Sequence, residues 1–181
     1  MSFLFRHKAR VFSPILLMVL GGCAYIAPEQ PIAPPLPALA KPAPFTAADA
    51  DLAQKLNTLN LAQIAAAKNA RTHAGRSDIA LVAATIGQDL TALQARLTKL
   101  ATSHALTLTD KPSATDQKQI DQMQHLYGAA FDKRYIRYFS SADARIKPVL
   151  AKQIAASKDT DLVAIARDTQ AKLGTYQAQL H

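Results

Sequence analysis

The chain has 181 residues, a single cysteine, and 21 lysines and arginines against 13 acidic residues, a formal net charge of +8. A lone cysteine forms no internal disulfide, which excludes a disulfide-stapled scaffold. The basic surplus favours anionic neighbours such as lipid headgroups, lipopolysaccharide phosphates or acidic polysaccharide without specifying a fold.

Arg6, Lys8 and Arg10 form a basic start, Val11 to Leu20 an apolar stretch, and Leu20-Gly21-Gly22-Cys23 follows directly. An apolar stretch of about ten residues suits a signal peptide and is too short to span a membrane. Small residues at Gly21 and Gly22 fit a signal-peptidase cleft, and the Cys23 thiol can carry a diacylglyceryl thioether. Residues 1–22 are therefore predicted to be a lipoprotein signal peptide, cleaved between Gly22 and Cys23. A buried or free thiol behind an ordinary signal sequence is the alternative. The two or three acyl chains of a lipoprotein hold a protein durably where one chain does not. Ala24 stands where an Asp would favour inner-membrane retention, so the start resembles that of lipoproteins sorted to the periplasmic face of a Gram-negative outer membrane. Cleavage would remove three basic and no acidic residues and leave a net charge of +5. Nucleic acid is not an expected partner outside the cytoplasm.

Between Ala24 and Pro44 lie Pro28, Pro31, Pro34, Pro35, Pro37, Pro42 and Pro44, set among alanines. Proline fixes φ and lacks an amide donor, so residues 23–45 read as a lipidated cysteine and an extended tether. At about 3.1 Å per residue it would reach up to about 60 Å. A proline-rich recognition ligand is the other reading.

From residue 46 to 181 the chain is rich in Ala, Leu, Gln and Lys and lacks alternating β-branched runs, which predicts an all-α domain. Thr46 with Asp49 caps a first helix whose apolar stripe runs through Leu52, Leu56, Leu59, Ile64 and Ala66 and ends near Gly75. A second helix opens around Ser77, with Ile79, Val82, Ile86, Leu90, Leu93, Leu97 and Leu100 at steps of three and four. Ser113 with Asp116, just after Pro112, starts a third. Its apolar face is expected to run through Ile120, Met123, Tyr127, Phe131, Tyr135 and Tyr138 to Ile146, Val149, Leu150 and Ile154, with a kink at Pro148. The basic and aromatic run from Lys133 to Tyr138 is expected to bury its rings while its cations stay in water. Lys158 and Asp159 lead into a fourth helix facing inward through Leu162, Ile165, Ala166, Thr169, Leu173 and Tyr176. Four stripes joined by short loops predict an antiparallel four-helix bundle.

Phe131-Asp132-Lys133-Arg134-Tyr135 is similar to the Phe-Asp-x-x-Tyr of the periplasmic and outer-membrane proteins of domain-of-unknown-function family 4142. The stretches from Ile79 to Asp89 and from Leu162 to Leu173 resemble that family's second and last helices. The resemblance covers about Asp49 to Gln179 and implies a ferritin-like four-helix bundle. Many members carry Asp-His in the second and third helices and a His late in the fourth. Here those positions read Asp89-Leu90, Ala142-Asp143 and Tyr176, and the family's histidines are missing.

Counting residues points the same way: Glu29, in the tether, is the only glutamate, and no carboxylate lies between Leu52 and Ser77. Metal-binding bundles need several inward carboxylates and histidines, so no cofactor is expected. His73, His104, His125 and His181 read as solvated residues or partners of helix C-termini. Asp89, Asp132 and Asp143 are weak candidates for an oxygen-ligand metal site. Their simpler role is structural, with Asp132 holding a tyrosine hydroxyl or a helix end. No Ser-His-Asp grouping, glycine-rich phosphate loop or Cys-x-x-Cys occurs, so no catalytic residue is predicted. The expectation is a lipid-anchored, non-enzymatic binding or envelope-scaffold module whose partner is an envelope protein or an anionic glycan or lipid. The alternatives are a ferritin-like metal or redox protein using the three aspartates, and a subunit of an envelope complex.

Overall fold

The structure, a computed structural model, describes residues 42–180. The signal peptide, Gly22, the Cys23 lipidation site, most of the tether and His181 lie outside the described residues. Those described form five helices and no β-strand: α1 (Ala47–His73), α2 (Ser77–Ser103), α3 (Ala114–Met123), α4 (Gly128–Ala156) and α5 (Thr160–Gln179). The all-α expectation therefore holds. None of these helices is long and apolar enough to cross a membrane.

Side-chain caps fix three of the starts. Thr46 Oγ1 accepts the Asp49 N–H at 3.2 Å while donating to the Asp49 carboxylate at 2.6 Å. Ser113 and Asp116 repeat the arrangement at α3, at 3.1 and 2.7 Å. Asp159 accepts the Leu162 N–H at 2.8 Å to open α5. Each cap satisfies an amide that has no intrahelical partner.

α1 packs on α2 and α4, α5 packs on the same two helices, and α3 lies against α1 and α4. The core is where the apolar spacing puts it. Leu52, Leu56, Ile86, Leu90, Leu97 and Leu162 are fully buried, and the inner face of α5 through Thr169, Leu173 and Tyr176 is as expected. Tyr135 and Tyr138 are buried, whereas Lys133 and Arg137 are exposed.

The expected third helix is two. α3 stops at Met123, and Tyr127, placed on the inner face by its spacing, is the N-cap of α4 with extended backbone and 67% exposure. Gly128 explains the break. Its φ of +59° leaves the right-handed helical region, and a Cβ on Gly75 would stand 2.8 Å from the Gly128 Cα. The α1–α2 turn thus sits directly against the first residue of α4, where a continuing helix would leave no room. α4 itself runs through Pro148 to Ala156 as one helix, so the proline does not end it.

Candidate functional site

Asp132 is buried on α4 and reaches the α1–α2 turn. Its Oδ1 accepts the Gly75 N–H at 3.0 Å and its Oδ2 the Arg76 N–H at 3.1 Å. Arg76 is the N-cap of α2 and makes no side-chain cap of its own, so a carboxylate from another helix sits at the positive end of α2. Of the two structural roles read from the sequence, it fills the helix-end one. Phe131 and Tyr135 flank it, fully buried, with ring centroids 5.8 Å apart. His73 stacks over Phe131 at 5.6 Å and lies tilted against Tyr127 at 4.3 Å. Burial pushes the Tyr135 phenol well above its ordinary value, and its hydroxyl has no hydrogen-bond partner among the described residues.

Asp89 joins α2 to α5 by accepting from Lys172 Nζ at 2.7 Å and from the Tyr176 hydroxyl. Lys172 first, then Tyr176, hold its carboxyl below the usual range against the opposing effect of burial. Burial and the adjacent Asp89 carboxylate raise Tyr176. Asp143 is half-buried on α4. Among the described residues no group of three or more His, Cys, Asp or Glu side chains is placed to hold a metal ion.

Two junctions were not visible in the sequence. Asp49 caps α1 and also accepts from the Ser157 hydroxyl at 2.6 Å and the Lys158 amide at 3.3 Å, which brings the α4–α5 turn to the start of α1. Burial opposes its ionisation, but the bonds from Ser157, Thr46 and the turn outweigh it and lower its pKa. His104, read as a solvated residue or a partner of a helix C-terminus, is the C-cap of α2 and half-buried. It stacks on Phe45 at 4.0 Å, bonds the Ala43 carbonyl at 2.6 Å and lies 3.4 Å from Asp159.

The feature left over is a cleft of about 300 Å³ between α1, the start of α3 and α4. Leu59, Ala62, Ile146 and Val149 give it apolar walls, and Lys55, Arg145 and Asp116 bring charge to it. Asp116 accepts from the Tyr138 hydroxyl at 3.3 Å and from Arg145 at 3.4 Å. Gln63 also lines the cleft, 1% exposed, and neither amide atom has a hydrogen-bond partner among the described residues. It belongs to a polar row on α1. Asn57 is fully engaged, donating to the Thr109 carbonyl at 2.8 Å and accepting from Gln94 at 2.6 Å. Asn60 is buried and, like Gln63, unpartnered among the described residues. Nothing in composition marked this row, because Asn and Gln at steps of three read as a solvated face. Burying an unpaired amide costs about 1–3 kcal/mol.

An all-helical domain tied together by buried carboxylates, with one helix presenting unpartnered amides inward, is the class these features define. The family described as Domain of unknown function (DUF4142) matches residues 34–181, and the chain belongs to it. No curated protein and no solved structure matches the chain.

Proposed function

We propose that the protein is a lipoprotein anchored through Cys23 on the periplasmic face of the outer membrane, and that its helical domain is a non-enzymatic binding module. The packing of α1, α2, α4 and α5 suits an antiparallel four-helix bundle of ferritin-like type, with α3 added at one side. One observation carries the reading. The aspartates best placed to do chemistry, Asp89 and Asp132, are engaged in holding helices together, while the cleft beside Gln63 keeps a polar group with no structural partner among the described residues. A site that binds without reacting needs the second feature and not the first.

The lipid-anchor half rests on Leu20-Gly21-Gly22-Cys23. Metabolic labelling with palmitate should mark the wild-type chain and not Cys23→Ser, with the label in the outer-membrane fraction. The binding half is tested by crosslinking in the intact envelope followed by mass spectrometry, with metal content measured on the same preparation. One recurrent partner without metal is the expected result. Stoichiometric Mn, Fe or Zn without a partner would overturn the reading in favour of a metal protein.

A further inference from the structure

We propose that the cleft between α1, α3 and α4 binds a short, extended apolar peptide with a free carboxyl terminus, the N–H and C=O of one residue pairing with Gln63 and the peptide's carboxylate with Lys55 and Arg145. The proposal rests on the binding-module reading and gives that module a ligand class.

Three features of the cleft select this chemistry. Gln63 offers a donor and an acceptor side by side, and the N–H and C=O of one residue in an extended peptide, which share an edge, supply the matching pair. The complement must also be neutral, because Gln63 is 1% exposed and a charge at that depth would lose its hydration. Lys55, Leu59 and Gln63 lie four residues apart on one face of α1. At about 6 Å per step they present a cation, an apolar wall and an amide in line. A peptide end carries the matching series: carboxylate, apolar side chain, amide.

Both cations can be redirected. Arg145 has a side chain 59% exposed and meets Asp116 only at 3.4 Å, and Lys55 pairs with Asp51 on its own helix at the surface. Asp116 does not depend on Arg145, since the Ser113 and Tyr138 hydroxyls also bond it. Both amide atoms are closed off from solvent, so a ligand reaches Gln63 as side chains of the cleft wall move, and Lys55 and Arg145 then close on its carboxylate. A volume of about 300 Å³ is that of about ten waters, the scale of a blocked dipeptide with one end at the mouth.

The probe is N-acetyl-L-valyl-L-leucine, titrated calorimetrically into the full-length protein in detergent micelles, with its carboxamide analogue as control. The acid should bind saturably and the carboxamide about tenfold more weakly. Gln63→Leu should lose about tenfold in affinity while its urea midpoint rises, since the variant replaces an unpaired amide with an apolar group of similar size. Lys55→Ala should weaken binding of the acid and leave the carboxamide unchanged. A midpoint that falls in Gln63→Leu makes the amide structural and overturns the proposal. Equal binding of acid and carboxamide, unchanged affinity in Gln63→Leu, or no saturation at millimolar probe does the same. If the dipeptide fails while envelope crosslinking still captures a partner, this ligand class falls and the binding-module reading stands. Stoichiometric metal without a partner is the separate result that removes the reading itself.

Discussion

A carboxylate that accepts hydrogen bonds from another element fastens the two together, and bonds to a charged acceptor are the stronger ones. Asp132 is the clearest case, because from α4 it accepts both the Gly75 and the Arg76 amide of the α1–α2 turn. Asp132→Ala removes the acceptor of both bonds and should destabilise the domain by about 2–3 kcal/mol. Asp132→Asn keeps one acceptor and should cost about half as much, read as the shift in urea midpoint at constant slope. Asp49 adds a pH dependence with a definite sign. Its folded pKa lies below the unfolded value, which for an aspartate is about 3.9. The unfolded chain therefore binds the proton more readily, and the contribution is complete above about pH 5. It is lost as pH falls through the folded value. Asp89 follows the same rule through Lys172 and Tyr176. Asp49→Asn should be less stable than wild type at pH 7, and the gap between their urea midpoints should shrink on acidification to pH 3. A gap independent of pH would show that the Asp49 charge contributes nothing.

At the scale of the helix, start signals were legible and stop signals less so. The pairs Thr46 with Asp49 and Ser113 with Asp116 are local patterns that read the same in sequence and in structure. The break before α4 is not local, since Ile120, Met123, Tyr127 and Phe131 recur at helical steps straight across it. What decides it is the meeting of Gly75 with Gly128, two residues far apart in the chain. The end of α2 is a second case. Leu106 N–H bonds the Ala101 carbonyl at 2.8 Å and Ala105 N–H that of Thr102 at 3.1 Å, a Schellman motif with alanine at the left-handed position, φ +57°. Alanine is strained there, so Ala105→Gly should stabilise the domain by about 1 kcal/mol. Gly75→Ala should act in the opposite direction, because its Cβ would meet backbone that cannot yield, and should cost about 1–3 kcal/mol. Thermal melts of the two variants against wild type test both signs at once. The cleft was illegible for the same reason as the break: Gln63 becomes a site residue only because α3 and α4 close over that part of α1.

Across the whole molecule the stability is unevenly spread, and α3 is the weak element. It has ten residues, of which two, Ile120 and Met123, are buried, and it packs mainly on α1 and α4. α1, by comparison, buries twelve of its 27 residues. Polar ties hold α3 in place. Arg134 on α4 donates to Gln119 at 2.6 Å and to Gln122 at 2.8 Å, and Tyr138 donates to Asp116 at 3.3 Å. Few apolar contacts and solvent-facing hydrogen bonds mark a segment that opens before the whole domain does. Amide exchange in α3 should therefore be faster than in α1, α2 or α5, through openings that do not require global unfolding. Arg134→Ala should speed exchange in α3 and leave α1 and α2 unchanged, a pattern that peptide-resolved exchange by mass spectrometry reads directly. Equal protection across all five helices would mean that α3 opens only with the domain. Because the start of α3 forms one wall of the cleft, its independent opening would also widen the way in to Gln63.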